Sequence, residues 1–283
     1  MHSKRFIMIV FVFALLLGGA VGSAWGASDE AMKRYQQAET YQTQGFYDRA
    51  IDEYNQALKL DPTFARAHHG LGRAYFKKGM YQEAIAEYQE ALDVEPKNAQ
   101  FHQSLGAAYF SLGRLGQAEE SFKKVVELSP SSAGGYYNLG VVYDRIGRYD
   151  ESIAMYRKSL ELNPKNPSIY NNLGLAYKHK GELNNAIRQY ERAIELTKND
   201  VDVYNNLADT YNVQGDYQQA KKWIEEGLKI APGHVVSNLT YGEILENLGN
   251  YQEAIKRYEV ALKDPSWAGY AKERIEKLKE KIK

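Results

Sequence analysis

Apolar residues in this chain recur at steps of three and four, as in Leu173 and Tyr177 and then Ala186, Tyr190 and Ala193. That is the spacing of one buried helix face. The whole pattern then repeats. The stretch Tyr170-Asn171-Asn172-Leu173-Gly174-Leu175-Ala176-Tyr177 has copies beginning at Tyr136 and Tyr204, 34 residues to either side. Weaker copies begin at His68 and His102. Pro62, Pro96, Pro130 and Pro164 keep the same step, and Pro232 lies two steps further on, with Lys198 at the skipped place. Counting from these prolines gives seven units, starting at Ala31, Ala65, Ala99, Ala133, Pro167, Val201 and Val235.

Within each unit, position 15 is always glycine, from Gly45 to Gly249. Position 20 is Ala or Ser, and position 8 is Gly or Ala. A glycine between two helical stretches ends the first by taking a left-handed conformation. Gly inside a helix costs about 1 kcal/mol against Ala, so its recurrence at position 8 implies a gain, and the expected gain is close approach of the two helices of one unit. The proline near position 32 breaks the second helix. The pattern predicts an all-α chain of helix-turn-helix units, and a period of this length means a solenoid.

Aromatic-x-x-Leu-Gly-x-x-Tyr, then Gly, then Ala-x-x-x-Tyr-x-x-Ala, then Pro, resembles the tetratricopeptide repeat. The resemblance covers residues 31–265 as seven repeats, 31–64, 65–98, 99–132, 133–166, 167–200, 201–234 and 235–265. It implies antiparallel helix pairs in a right-handed superhelix, with the first helix of each repeat lining a concave groove. Gln37 departs from the usual Leu, Lys198 from the usual Pro, and Pro265 comes one residue early. Residues 266–283 are no eighth unit. Ala268, Ala271, Ile275, Leu278 and Ile282 alternate steps of three and four among charges, which predicts an amphipathic helix capping the end of the stack.

The N-terminus carries a different expectation. Lys4 and Arg5 precede an uninterrupted apolar run of twelve residues, Phe6 to Leu17, followed by small residues to Ala24. This is the layout of a secretory signal peptide over residues 1–26, cut near 24–27, and the run is short of the about 20 residues of a membrane span. Export to the periplasm or medium is expected, with an uncleaved anchor as the alternative. Lys+Arg and Asp+Glu are both 36, and a neutral chain lacks the basic excess of a nucleic-acid binder. There is no cysteine, hence no disulfide framework and no thiolate nucleophile.

Candidate chemistry dissolves into the repeat. All but four of the 23 tyrosines fall at positions 4, 11, 17 and 24, where they serve packing. His68, His69 and His102 lack ligand spacing. There is no nucleophile elbow, phosphate loop or HExxH. No enzyme and no cofactor or metal is expected.

What remains is the groove. In the resembled family, first-helix positions 2, 5, 6, 9, 12 and 13 face it. They read basic in the second unit (Arg66, His69, Arg73, Lys77), amide-rich in the fourth to sixth (Tyr137, Asn138, Asn171, Asn172, Asn205, Asn206) and acidic in the last two (Asp202, Asp209, Glu243, Glu246). An amide can donate to a backbone carbonyl and accept from a backbone N–H, so the ladder suits an extended peptide; solvation, or bonds to neighbouring helices, is the alternative. The expectation is a non-catalytic scaffold holding an extended protein segment and assisting an envelope or secretion complex. Its rivals are a self-assembling structural protein and a subunit presenting substrate to an enzyme or export machine on another chain.

Overall fold

A computed structural model describes residues 28–283, and the stretch read as a signal peptide lies outside them. Fifteen α-helices follow one another among the described residues. They form two compact units, one reaching Lys97 and one spanning Asn98–Lys283.

The first unit holds two helix pairs, α1 (Asp29–Thr43) with α2 (Tyr47–Leu60) and α3 (Ala65–Lys77) with α4 (Tyr81–Val94). The second holds five: α5 (Ala99–Ser111) with α6 (Leu115–Leu128), α7 (Ala133–Arg145) with α8 (Tyr149–Leu162), α9 (Pro167–His179) with α10 (Leu183–Leu196), α11 (Val201–Gln214) with α12 (Tyr217–Ile230), and α13 (Val235–Asn247) with α14 (Tyr251–Ala261). A last helix, α15 (Ala268–Ile282), packs on α14. In each unit a helix packs on its partner and on the first helix of the next pair.

Each pair is joined through a glycine with φ between 71° and 88°, the left-handed region that any side chain would strain. Five of the seven first helices are capped by a side chain. Ser28, Asn98, Ser132, Asn166 and Asp200 each accept a backbone N–H of the first turn, satisfying donors that a helix start leaves open.

The glycine at position 8 has a definite partner. A Cβ on Gly72, Gly140, Gly174 or Gly242 would come within 2.6–2.8 Å of the position-24 ring of its own repeat, Tyr88, Tyr156, Tyr190 or Tyr258. In these four repeats the missing side chain is the seat of a buried tyrosine, whereas the first repeat buries Tyr54 with Ala38 at position 8. In the sixth repeat position 24 is Ile224, and position 8 is then Ala208, both fully buried in one core cluster.

The two ends are closed by polarity. On α15, Ala271, Ile275 and Leu278 are buried with the core of α13 and α14. Carrying the 34-residue frame past Pro265 puts Lys272, Glu276 and Lys279 where the other repeats have their position 4 ring, small residue 8 and Tyr 11, and all three are exposed. A second helix cannot seat on that charged face, so α15 is half a repeat that ends the stack. At α1 the face that packs backward in later repeats is Lys33, Gln37 and Thr40, all exposed. The departure at Gln37 is therefore the outward face of a first repeat with no repeat before it among the described residues.

Candidate functional site

In the second unit the inner face is built by first helices. α7 touches α9, α9 touches α11, and α11 and α13 pack on each other more extensively. The amide and acidic residues expected to bind a peptide lie on these helices, and several bind one another. Asn172 Nδ2 donates to the Tyr137 hydroxyl at 2.9 Å. Asn206 Nδ2 donates to Asn171 Oδ1 at 3.0 Å. Further along the same helices, Asn247 Nδ2 donates to Asn212 Oδ1 at 2.9 Å. Position 6 of one repeat thus reaches position 5 of the repeat before it, and position 13 reaches position 12.

This revises the ladder. An amide carries two N–H donors and an acceptor, so one donor each of Asn172 and Asn206 is taken up by the fold. The reason is distance: adjacent first helices bring these side chains within hydrogen-bond range, and a bond inside the folded chain bears no cost of association. Asn138 is half-buried on α7. Asn205 is 8 % exposed, and its Oδ1 is buried without a hydrogen-bond partner.

The acidic end is crowded. Asp209 is bound by Lys178 of α9. Glu246 holds Arg274 of α15 through both oxygens, at 3.0 and 2.5 Å, and also accepts the Tyr258 hydroxyl at 2.6 Å. Glu243 accepts the Tyr270 hydroxyl at 2.6 Å. Burial holds the Glu243 carboxyl above the usual range, helped by the charges of Asp209 and Glu246 and opposed by Tyr270 and Arg274. At the C-terminal end of α9, next to Lys178, His179 lies 3.4 Å from Asp144 and against the Tyr149 ring.

Tyr270, Arg274, Lys178 and Asp144 were not singled out in the sequence. The signal for the first two was the repeat frame itself: continued into the tail, it places Tyr270 at position 2 and Arg274 at position 6. Asp144 and Lys178 share position 12 with Glu246, and a charge at that inner-face position was the available clue.

In the first unit, one of the four residues read as basic lies inside the core. His69 is buried against the Tyr88 ring, 5.5 Å between centroids. Burial, and then the charge of Arg73, lowers its pKa to about 4, so it is neutral at pH 7. Arg73 lies 3.7 Å from the Glu39 carboxylate. The amide of Gln42, oriented to satisfy its surroundings, accepts from the Arg73 guanidinium and donates to the Gly70 carbonyl. Arg66 lies over the Tyr35 and Phe64 rings, 5.8 and 5.5 Å from their centroids. Lys77 is exposed. Arg66 and Arg73 thus have partners within the chain, and both stay open to solvent.

Among the described residues no group of His, Asp and Glu is arranged to hold a metal ion, and no helix is long and apolar enough to cross a membrane.

A family model for the Cilia and flagella-associated protein 70 C-terminal domain matches residues 14–234, and a tetratricopeptide-repeat model matches residues 236–263. No curated protein matches. Among solved structures, a MamA protein is similar at 28 % identity over 60 % of this chain and 93 % of that one, with a TM-score of 0.57. A tetratricopeptide repeat protein from Parabacteroides merdae ATCC 43184 shares the fold at 20 % identity over 89 % of this chain and 99 % of its own, with a TM-score of 0.70. Pseudomonas aeruginosa pilF does so at 21 % identity over 78 % and 99 %, with a TM-score of 0.65.

Proposed function

Since the chain belongs to the tetratricopeptide-repeat family of the Cilia and flagella-associated protein 70 C-terminal domain, we propose that it is a non-catalytic scaffold whose inner face over residues 98–283 receives an extended protein segment. One observation carries the reading. Successive first helices present half-buried polar side chains, Tyr137, Asn138, Asn171, Asn172 and Asn206, at one-repeat intervals on a face held rigid by bonds between repeats. Such a row offers each part of an extended backbone the same chemistry in turn, and its stiffness spares the ordering cost of binding. Stacking of copies end to end is disfavoured, because Lys33, Gln37 and Thr40 at one end and Lys272, Glu276 and Lys279 at the other are polar and exposed.

The test is a photo-crosslinking amino acid placed at Asn138 or Asn171, compared with one at Lys124 or Lys158 on the exposed sides of α6 and α8. Capture of one defined partner segment from the inner positions alone is expected. Equal capture from both sets places the binding surface elsewhere.

The reading includes export and work in the cell envelope, in assembly of an envelope or secretion complex. Support comes from Lys4 and Arg5 ahead of the apolar run from Phe6 to Leu17. Intact-mass measurement of the protein from its native cells, together with the compartment that yields it, checks this. A product that keeps residues 1–24 and stays with the cytoplasmic fraction contradicts it.

A further inference from the structure

Four carboxylates, Asp202, Asp209, Glu243 and Glu246, stand at inner-face positions of α11 and α13, and neither helix contains a Lys or Arg. The fold brings cations to two of them from neighbouring helices, and an imidazole to a third from the adjoining turn. Lys178 meets Asp209, Arg274 meets Glu246, and the His234 ring lies 3.5 Å from Asp202. Glu243 is met by a neutral group, the Tyr270 hydroxyl at 2.6 Å. A carboxylate drawn partly out of water beside two others, without its own cation, is a costly arrangement for stability alone.

A second observation points the same way. Asp202, Asn205 and Asp209 follow one another at steps of three and four, so Asn205 stands on the same stripe of α11 as the two carboxylates. It is 8 % exposed, and its Oδ1 is buried with no hydrogen-bond partner. Buried acceptors are seldom left unpaired in folded proteins. Three groups at this end of the face keep an acceptor to spare. Glu243 has an oxygen beyond the one that takes the Tyr270 proton, Asp209 has one beyond that facing Lys178, and Asn205 has its carbonyl. What is missing is a charged donor with several N–H groups.

We propose that an arginine side chain of the bound segment seats here, its guanidinium donating to Glu243 and Asp209 with the Asn205 carbonyl on the same stripe. The proposal rests on the reading of the inner face as a receptor for an extended segment and names the residue that segment must carry. The planar guanidinium offers five donors in a fixed fork, against three on the more strongly hydrated ammonium of lysine. Tyr270 and Arg274 bound the site from α15, so the arginine of the segment lies toward the seventh repeat.

The experiment is selection of a displayed library of random octapeptides on the purified chain, with Glu243→Gln and Glu243→Lys selected in parallel. Circular dichroism confirms that both variants keep their helices. On the unaltered protein, arginine is expected to be enriched about tenfold over the input, the worth of one well-paired charge. Glu243→Gln should lose that enrichment, and Glu243→Lys should select acidic peptides in its place. Peptides selected equally on all three proteins, without enriched arginine, overturn the arginine site and leave the groove standing. Lysine enriched as strongly as arginine overturns the guanidinium assignment. No peptide retained by any of the three overturns the groove itself, and this inference with it.

Discussion

The fifth and sixth repeats are neighbours built on one plan, and they solve it differently at both the core and the surface. In the fifth, Gly174 leaves room for the Tyr190 ring; in the sixth, Ala208 stands with Ile224. The small residue and the side chain facing it have exchanged volume while the helix pair is kept. On the inner face, the fifth repeat carries Lys178 and His179, and its Asn171 and Asn172 are bonded to the repeats on either side. The sixth carries Asp202 and Asp209, and its Asn205 carbonyl has no partner. One scaffold therefore tolerates a change of packing and a change of charge in adjacent units, because each repeat answers mainly to its immediate neighbours.

Several substitutions probe that contrast. The largest effect is expected at Gly174→Val, which drives a branched side chain into a ring whose Cε1 would lie 2.7 Å from even a Cβ. A loss of about 3 kcal/mol, read by urea denaturation, is the upper end for an overpacked core. Next, Ile224→Tyr should lose about 2 kcal/mol for the same reason, and Ala208→Gly in the same chain should recover most of it. Without that recovery, the pairing of positions 8 and 24 is not what fits the two helices together. Asn206→Ala breaks the bond to Asn171 and should lose about 1 kcal/mol, whereas Asn205→Ala removes an unpaired acceptor and should change stability by less than about 0.5 kcal/mol. Equal losses at the two would mean that their bonding does not differ in solution.

The smallest expected effect depends on pH. Burial raises the Glu243 carboxyl above its usual range in the folded state, so the unfolded chain releases that proton first. Near pH 4 the group is largely protonated in both states and contributes little. As pH rises through the usual carboxylate range to the folded value, the wild type loses stability. Glu243→Gln should therefore melt higher than wild type at pH 7, by a margin that shrinks toward pH 4. A constant margin would show that the substitution acts through packing.

Much of this was legible along the chain. The glycine at position 8 announced a close approach, since nothing else explains a recurrent helix interior glycine, and the structure supplies the ring that fills the space. The amides were legible as a register but not as bonds. Whether Asn172 meets a peptide or Tyr137 depends on the separation of α7 and α9, which no local pattern encodes. His69 reads as part of a basic row by type, and its burial against Tyr88, with the charge of Arg73, keeps it neutral. Tyr270 and Arg274 were hidden because the proline frame slips by one residue at Pro265, and a tail that looks like a plain amphipathic helix gives no sign that it reaches back to α13.

The half repeat at α15 has a bearing on how such a chain can change over time. Gly242 and Glu276 occupy the same place in the frame, one admitting a partner helix and the other refusing it. Duplication of a unit anywhere before α14 would lengthen the row of first helices while leaving this closing piece, and its bonds to Glu243 and Glu246, where they are. Lengthening from within would thus extend the inner face while keeping the same charged face on α15.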